Sequence, residues 1–236
     1  MTTLKVGLAQ LSPKLGDVQG NLSLHLDTVE KAKEHGLQLL CFPELSLTGY
    51  VLKDLVPDVA ISVTENHPFM AELLSASQAM DLVVGFVEEE PRHRYYIAAA
   101  YLSQGRIVHV HRKVYLPTYG MFEEGRYLAA GDCFRAFSTR FARMGMLICE
   151  DFWHMSSPYA LWLDGADVLL LISASPGRGL SPEAVLGSSR SVELVNQVYA
   201  TFLTDFVLHC NRVGFEDGLN FWGGSTIFGP DGKLIA

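Results

Sequence analysis

The chain has 236 residues, 49% hydrophobic, 19% charged and 11% aromatic, with a formal charge of −8 at pH 7. This suits an ordinary globular protein whose core needs no covalent staples, as one large domain or two small ones. The acidic balance, with no Lys/Arg block, argues against nucleic acid as the main partner, and no apolar run reaches the roughly eighteen residues of a membrane span. The opening "MTTLKVGLAQ" lacks a basic segment followed by an apolar one, so no secretory leader is expected. Cys41, Cys133, Cys149 and Cys210 are widely spaced with no CxxC pair, which reads as free thiols in a reducing cytoplasm.

In chain order, "LKVGLAQL" (Leu4–Leu11) predicts a buried strand. "NLSLHLDTVEKAKEHG" predicts a helix with Asn21 as N-cap and Gly36 as its stop. "LQLLCF" (Leu37–Phe42) is a short strand bounded by Pro43. A helix over "PFMAELLSASQAM" leads to the strand "LVVGFVE". "YYIAAAYLS" and "RIVHVHRKV" flank Gln104-Gly105 as a two-residue hairpin. "FARMGMLIC" (Phe141–Cys149) is a strand, followed by a helix from about Ser156 to Gly165 and the strand "DVLLLIS". "SPEAVLGSSRSVELVNQVYA" predicts a long helix, "TFLTDFVLHC" a strand, and "GPDGK" a last hairpin. Strands alternating with helices, plus hairpins, indicate an α/β layered sandwich with mixed sheets.

Chemistry in such sheets gathers where strands end. Glu44 follows "LQLLCFP", Lys113 follows "RIVHVHR", and Cys149 follows "GMLI". A carboxylate can take a thiol's proton as the sulfur attacks a carbonyl carbon, and an ammonium with a backbone N–H can hold the oxyanion that forms. Glu, Lys and Cys therefore suffice for acyl transfer from an amide through a thioester. By residue type and position alone, a small core thiol, a solvated glutamate and a surface lysine are the commoner readings. His109 and His111 share a strand face, but no acidic cluster completes a metal set, so they read as a packed or exposed pair.

"FPELSLTGY", "HRKVYLP" and "LICEDFW" resemble, in order, the glutamate, lysine and cysteine motifs of the nitrilase superfamily of carbon–nitrogen hydrolases. "KVGLAQLSPKLGDVQGNL", "MFEEGRYLAAGD", "CNRVG" and "FWGGSTIFGPDGK" extend the resemblance across the chain as a single domain, residues 1–236. It implies a four-layer α-β-β-α sandwich. It also implies Glu44 as general base, Cys149 as nucleophile, and Lys113 as oxyanion stabiliser beside the Glu150 N–H. "EGRYL" matches the family's second-glutamate motif and points to Glu124, whose neighbour Glu123 would be a loop charge. Cys41, Cys133 and Cys210 keep a structural reading.

Nitrile-cleaving members show Cys-Trp-Glu where this chain has Cys149-Glu150-Asp151, so an amide is the expected substrate. "ELSLTGYVLKDL" with "CEDFW" is most similar to the glutaminase branch that feeds NAD synthetase. That likeness places Tyr50, Tyr119, Glu150 and Ser175 around the substrate. In that branch a basic residue follows "SASP" to meet an α-carboxylate, whereas here Ser181 stands near its place and Arg178 lies three residues earlier. No "SGGxDS"-like phosphate loop is present. The leading expectation is a stand-alone amidase acting on a small aliphatic amide, with no metal or cofactor. A glutaminase serving a separate synthetase, an N-carbamoyl amide hydrolase and a silent binding module are the alternatives. Family members run one or two strands past the "GPDGK" position and commonly join sandwiches, so a homodimer or higher homo-oligomer is expected, and a chain that stops at Ala236 either lacks its C-terminal strands or is unusually short.

Overall fold

A computed structural model of the protein describes residues 3–179 and 186–236. The first half of the chain builds one mixed sheet. β1 (Val6–Leu8), β2 (Leu39–Cys41) and β3 (Asp81–Glu89) run parallel, and β4 (Tyr95–Ser103) and β5 (Arg106–Arg112) extend the sheet antiparallel in that order. Gln104 and Gly105 close the β4–β5 hairpin with φ of 52° and 74°, the left-handed pair that a two-residue turn requires. Connecting segments supply α1 (Val18–Glu34), α2 (Val56–Val59) and α3 (Pro68–Ala76), whose Leu22, Val29, Val56, Met70 and Leu73 join the core of this sheet. A short α4 (Glu124–Tyr127) lies in the passage to the second half.

The second half repeats the theme. β6 (Phe137–Ser138), β7 (Arg143–Ile148), β8 (Val168–Ser173) and β9 (Phe206–Asn211) alternate with α5 (Ser156–Leu163) and α6 (Gly187–Leu203). A hairpin of β10 (Val213–Glu216) and β11 (Leu219–Trp222) follows, and β12 (Thr226–Phe228) returns to give the order β12-β9-β8-β7-β6. β7, β8 and β9 are parallel, with β6 and β12 antiparallel at the edges.

The period of two along these strands makes the layers. Met144, Met146, Ile148, Leu170, Ile172 and Cys210 pack in one cluster with the first sheet. Their alternates Leu147, Leu169, Leu171 and Val207 pack with Leu161, Tyr199, Ala200 and Leu203 of the outer helices. Each such buried side chain contributes about 1.5–3 kcal/mol. The result is the four-layer α-β-β-α sandwich that the resemblance implies. Cys210 Sγ donates across the sheet interface to the Cys41 carbonyl at 3.1 Å. Gly85 of β3 sits where an added Cβ would lie 2.5 Å from the Pro43 oxygen and 2.7 Å from the Leu45 nitrogen, so the segment carrying Glu44 rests directly on it.

Several boundaries differ from the sequence reading. The N-cap of α1 is Asp17, whose carboxylate accepts from the Gly20 N–H, and not Asn21. Asn21 is buried one turn later, where its amide group bonds the Lys14 backbone and the Leu47 carbonyl. Residues 201–203 end α6 and do not begin a strand, because Val192, Tyr199, Ala200 and Leu203 continue one buried helical stripe. The first residues of the predicted long helix, with Ser181, lie outside the described residues. Cys133 is exposed, whereas Cys41 and Cys210 are buried, so only the latter two fit a core role.

Candidate functional site

Glu44, Lys113 and Cys149 follow the ends of β2, β5 and β7 and lie in electrostatic reach of one another. Glu44 and Lys113 are fully buried and Cys149 is partly buried. Lys113 Nζ lies 2.7 Å from Glu44 Oε1 and 2.8 Å from Glu124. The other Glu44 oxygen accepts from the Ala174 N–H at 2.8 Å, just beyond β8, so a residue of one sheet is held by the end of the other. Tyr50 donates its hydroxyl to Glu124 at 2.6 Å. Glu123, by contrast, is exposed and pairs with Arg126, which separates the two neighbouring glutamates as the motif alignment does.

The backbone is strained at two of these points. Cys149 has φ of 46° and Leu45, directly after Glu44, has φ of 50°. Left-handed conformations at residues with a side chain cost about 1–3 kcal/mol and persist where surroundings hold them. At Cys149 the strand breaks into a 3₁₀ turn over Cys149–Trp153.

The electrostatics follow from burying two carboxyls, an amine and a thiol together. Burial alone would discharge Lys113, but Glu124, Glu44 and Cys149 outweigh it and hold the ammonium protonated well past its usual range. Burial pushes the Glu124 carboxyl up to about 7, with Lys113 opposing and Glu44 assisting. Burial and the nearby Glu44, Glu124 and Glu150 also push the Cys149 thiol up, against the pull of Lys113. Burial and these three carboxylates thus favour the thiol form of Cys149 over the thiolate.

Tyr119 and Glu150 meet at 2.9 Å, hydroxyl to carboxylate; Glu150 pushes the Cys149 thiol up, and burial, Glu150 and Cys149 push the Tyr119 hydroxyl up. Tyr119 is half-exposed, and Arg178 stands over the neighbouring Phe122 ring at 5.1 Å. Ser175 follows Ala174, and its backbone N–H bonds Asn211 at 2.9 Å. A cavity of about 210 Å³ adjoins Glu124 and Tyr50 and is walled by Leu45, Ile97, Phe122 and Leu219.

Two supporting networks escaped the sequence reading. Arg212 is fully buried and pairs with Glu216 at 2.8 Å, while Glu216 accepts from the Tyr50 and Val51 N–H groups. The β10–β11 hairpin thereby braces Tyr50. His111 bonds Asp151 at 2.9 Å and is not an idle partner of His109. The only sequence signal for Asp151 was its place two residues after the cysteine. Among the described residues no cluster of His, Cys, Asp and Glu could hold a metal ion, and no helix is long and apolar enough to cross a membrane.

Residues 5–236 match the family model for carbon–nitrogen hydrolases. The chain is 35% identical over its whole length to the glutamine-dependent NAD(+) synthetase of Thermotoga maritima, of which it spans 40%. It superimposes on the corresponding synthetase of Acinetobacter baumannii with a TM-score of 0.85 at 28% identity, covering 99% of this chain and 43% of the other. An amidase from Nesterenkonia sp. matches with a TM-score of 0.84 at 26% identity, over 98% of this chain and 84% of the amidase. In a variant of that amidase, acrylamide has added to the active-site cysteine. The motifs, the layered fold and these likenesses agree: the chain belongs to the carbon–nitrogen hydrolase family.

Proposed function

We propose that the protein hydrolyses a small linear amide to ammonia and a carboxylic acid through a thioester on Cys149. The observation that carries this reading is the buried Lys113 ammonium bonded to both Glu44 and Glu124, with Cys149 in electrostatic reach of all three. Glu44 would take the Cys149 proton as sulfur attacks the amide carbon. Lys113 and the Glu150 N–H would hold the oxyanion, each worth about 3 kcal/mol. Collapse of the intermediate breaks the carbon–nitrogen bond, and the proton on Glu44 leaves with ammonia. Water, deprotonated by Glu44, then adds to the thioester and releases the acid and the thiol. Glu124, steadied by Tyr50, would orient Lys113. Tyr50, Tyr119, Glu150 and Ser175 would line the path of the substrate. The cysteine addition in the related amidase supports the nucleophile.

A second reading is glutamine hydrolysis for a separate synthetase. It is favoured by the likeness to the synthetases and by Arg178 above Phe122, where a guanidinium could meet an α-carboxylate. Both readings are tested by ammonia release from glutamine, a short aliphatic amide, an α-keto acid amide and an N-carbamoyl amino acid. Turnover lost in Cys149→Ala supports the nucleophile, and the preferred amide selects between the readings. Turnover that survives Cys149→Ala overturns the mechanism.

A further inference from the structure

Cys149 and Lys113 belong to different sheets, so no strand ladder fixes their separation. One side chain spans the gap. Asp151 is fully buried, and its carboxylate accepts four hydrogen bonds. Oδ1 receives the N–H groups of Val114 and Tyr115, each at 3.0 Å, immediately after Lys113. Oδ2 receives the Ile148 N–H at 3.1 Å, immediately before Cys149, and His111 Nε2 at 2.9 Å. All the acceptor positions of a carboxylate are thereby used. The His111 ring is itself held in β5 against Phe134, with ring centres 5.5 Å apart. The strained φ of Cys149 needs such an external hold, since a side-chain-bearing residue relaxes from that conformation when free to do so.

We propose that Asp151 is the positioning residue of this site: its single carboxylate sets the distance between the thiol and the ammonium, and His111 orients that carboxylate. The inference rests on the roles proposed for Cys149 and Lys113. Asp151→Asn keeps an oxygen for Val114 and Tyr115 but turns an amide N–H₂ toward the Ile148 N–H. That end of the clamp opens with almost no change in volume. A displacement of about 1 Å at reacting groups costs about 100-fold in rate, so kcat falls by about that factor while KM moves little.

The test compares the wild type with Asp151→Asn, His111→Ala and His111→Gln. It measures ammonia release and, without any substrate, the pH dependence of Cys149 alkylation by iodoacetamide. The expected result is a fall in kcat and an alkylation profile moved to higher pH in Asp151→Asn and His111→Ala, because the thiolate loses its ammonium. His111→Gln, which keeps a donor, restores most of the loss. A folded Asp151→Asn with wild-type kcat and profile overturns the proposal. If Asp151→Asn fails to fold, the histidine pair decides: equal losses in Ala and Gln variants with an unmoved profile also overturn it. Cys149→Ala run in parallel keeps the two ideas apart. Turnover that survives in it defeats the proposed reaction, while the alkylation profiles still judge the positioning.

Discussion

Replacing Tyr50 by Phe removes one hydroxyl from the site and leaves the ring that packs edge-on to Phe221 at 5.9 Å. The lost bond is the 2.6 Å donation to Glu124. Hydrogen bonds to charged groups are worth about 1.5–3 kcal/mol. The bond favours the ionised carboxyl, which burial already pushes up to about 7, so its loss pushes that carboxyl higher still. At about 1.4 kcal/mol per tenfold change, the shift corresponds to about one to two pH units. If ionised Glu124 is what holds Lys113 in place, the acid limb of kcat/KM moves to higher pH by that amount. Activity at neutral pH then falls about 5- to 50-fold and recovers in alkali. The assay is a pH profile of ammonia release with the best amide of the panel. A limb that stays where it was, or moves toward acid, refutes the role given to Glu124.

Two further outcomes follow from packing and burial. Gly85→Ala drives a methyl group into the Pro43–Leu45 backbone. It is expected to cost about 1–3 kcal/mol in urea unfolding and to lower kcat, because the segment that must move carries Glu44; unchanged turnover with lowered stability would show that Glu44 tolerates displacement. Asp205 is buried, its Oδ2 finds no hydrogen-bond partner among the described residues, and burial with Asp167 nearby pushes its carboxyl up to about 7. A carboxyl raised in the folded state favours folding at low pH and loses that advantage as pH rises through about 7. Asp205→Asn should therefore raise Tm at pH 8 and do little at pH 4, with each kcal/mol appearing as about 2–4 °C; an equal gain at both pH values would contradict the assignment.

The three strand-end groups were legible because each interrupts an apolar run with a titratable side chain. Glu124 was legible only through its motif, since a glutamate beside a second glutamate carries no local sign of which one is buried. The Asp151–His111 pair was not legible, because the partners are 40 positions apart and meet only when the sheets stack. Periodicity reports the face a residue occupies and says nothing about what lies across an interface. The β10–β11 hairpin could have been found. Asp217-Gly218, with φ of 47° and 78°, forms the left-handed turn that an Asp-Gly pair between strands signals. The end of α6 was misjudged because Thr201 and Phe202 favour strands, yet tertiary burial of Leu203 kept the helix going.

The Ala174 N–H on Glu44 joins residues 130 positions apart. Because Glu44, Lys113 and Cys149 are brought together from both halves of the sequence, neither sheet formed alone contains the full set. Contacts of such sequence separation form late, since the loop entropy is lost before the contact rewards it. On the proposed reaction, recovery of turnover during refolding is expected to lag the circular dichroism of the strands, because it waits for the two sheets to dock.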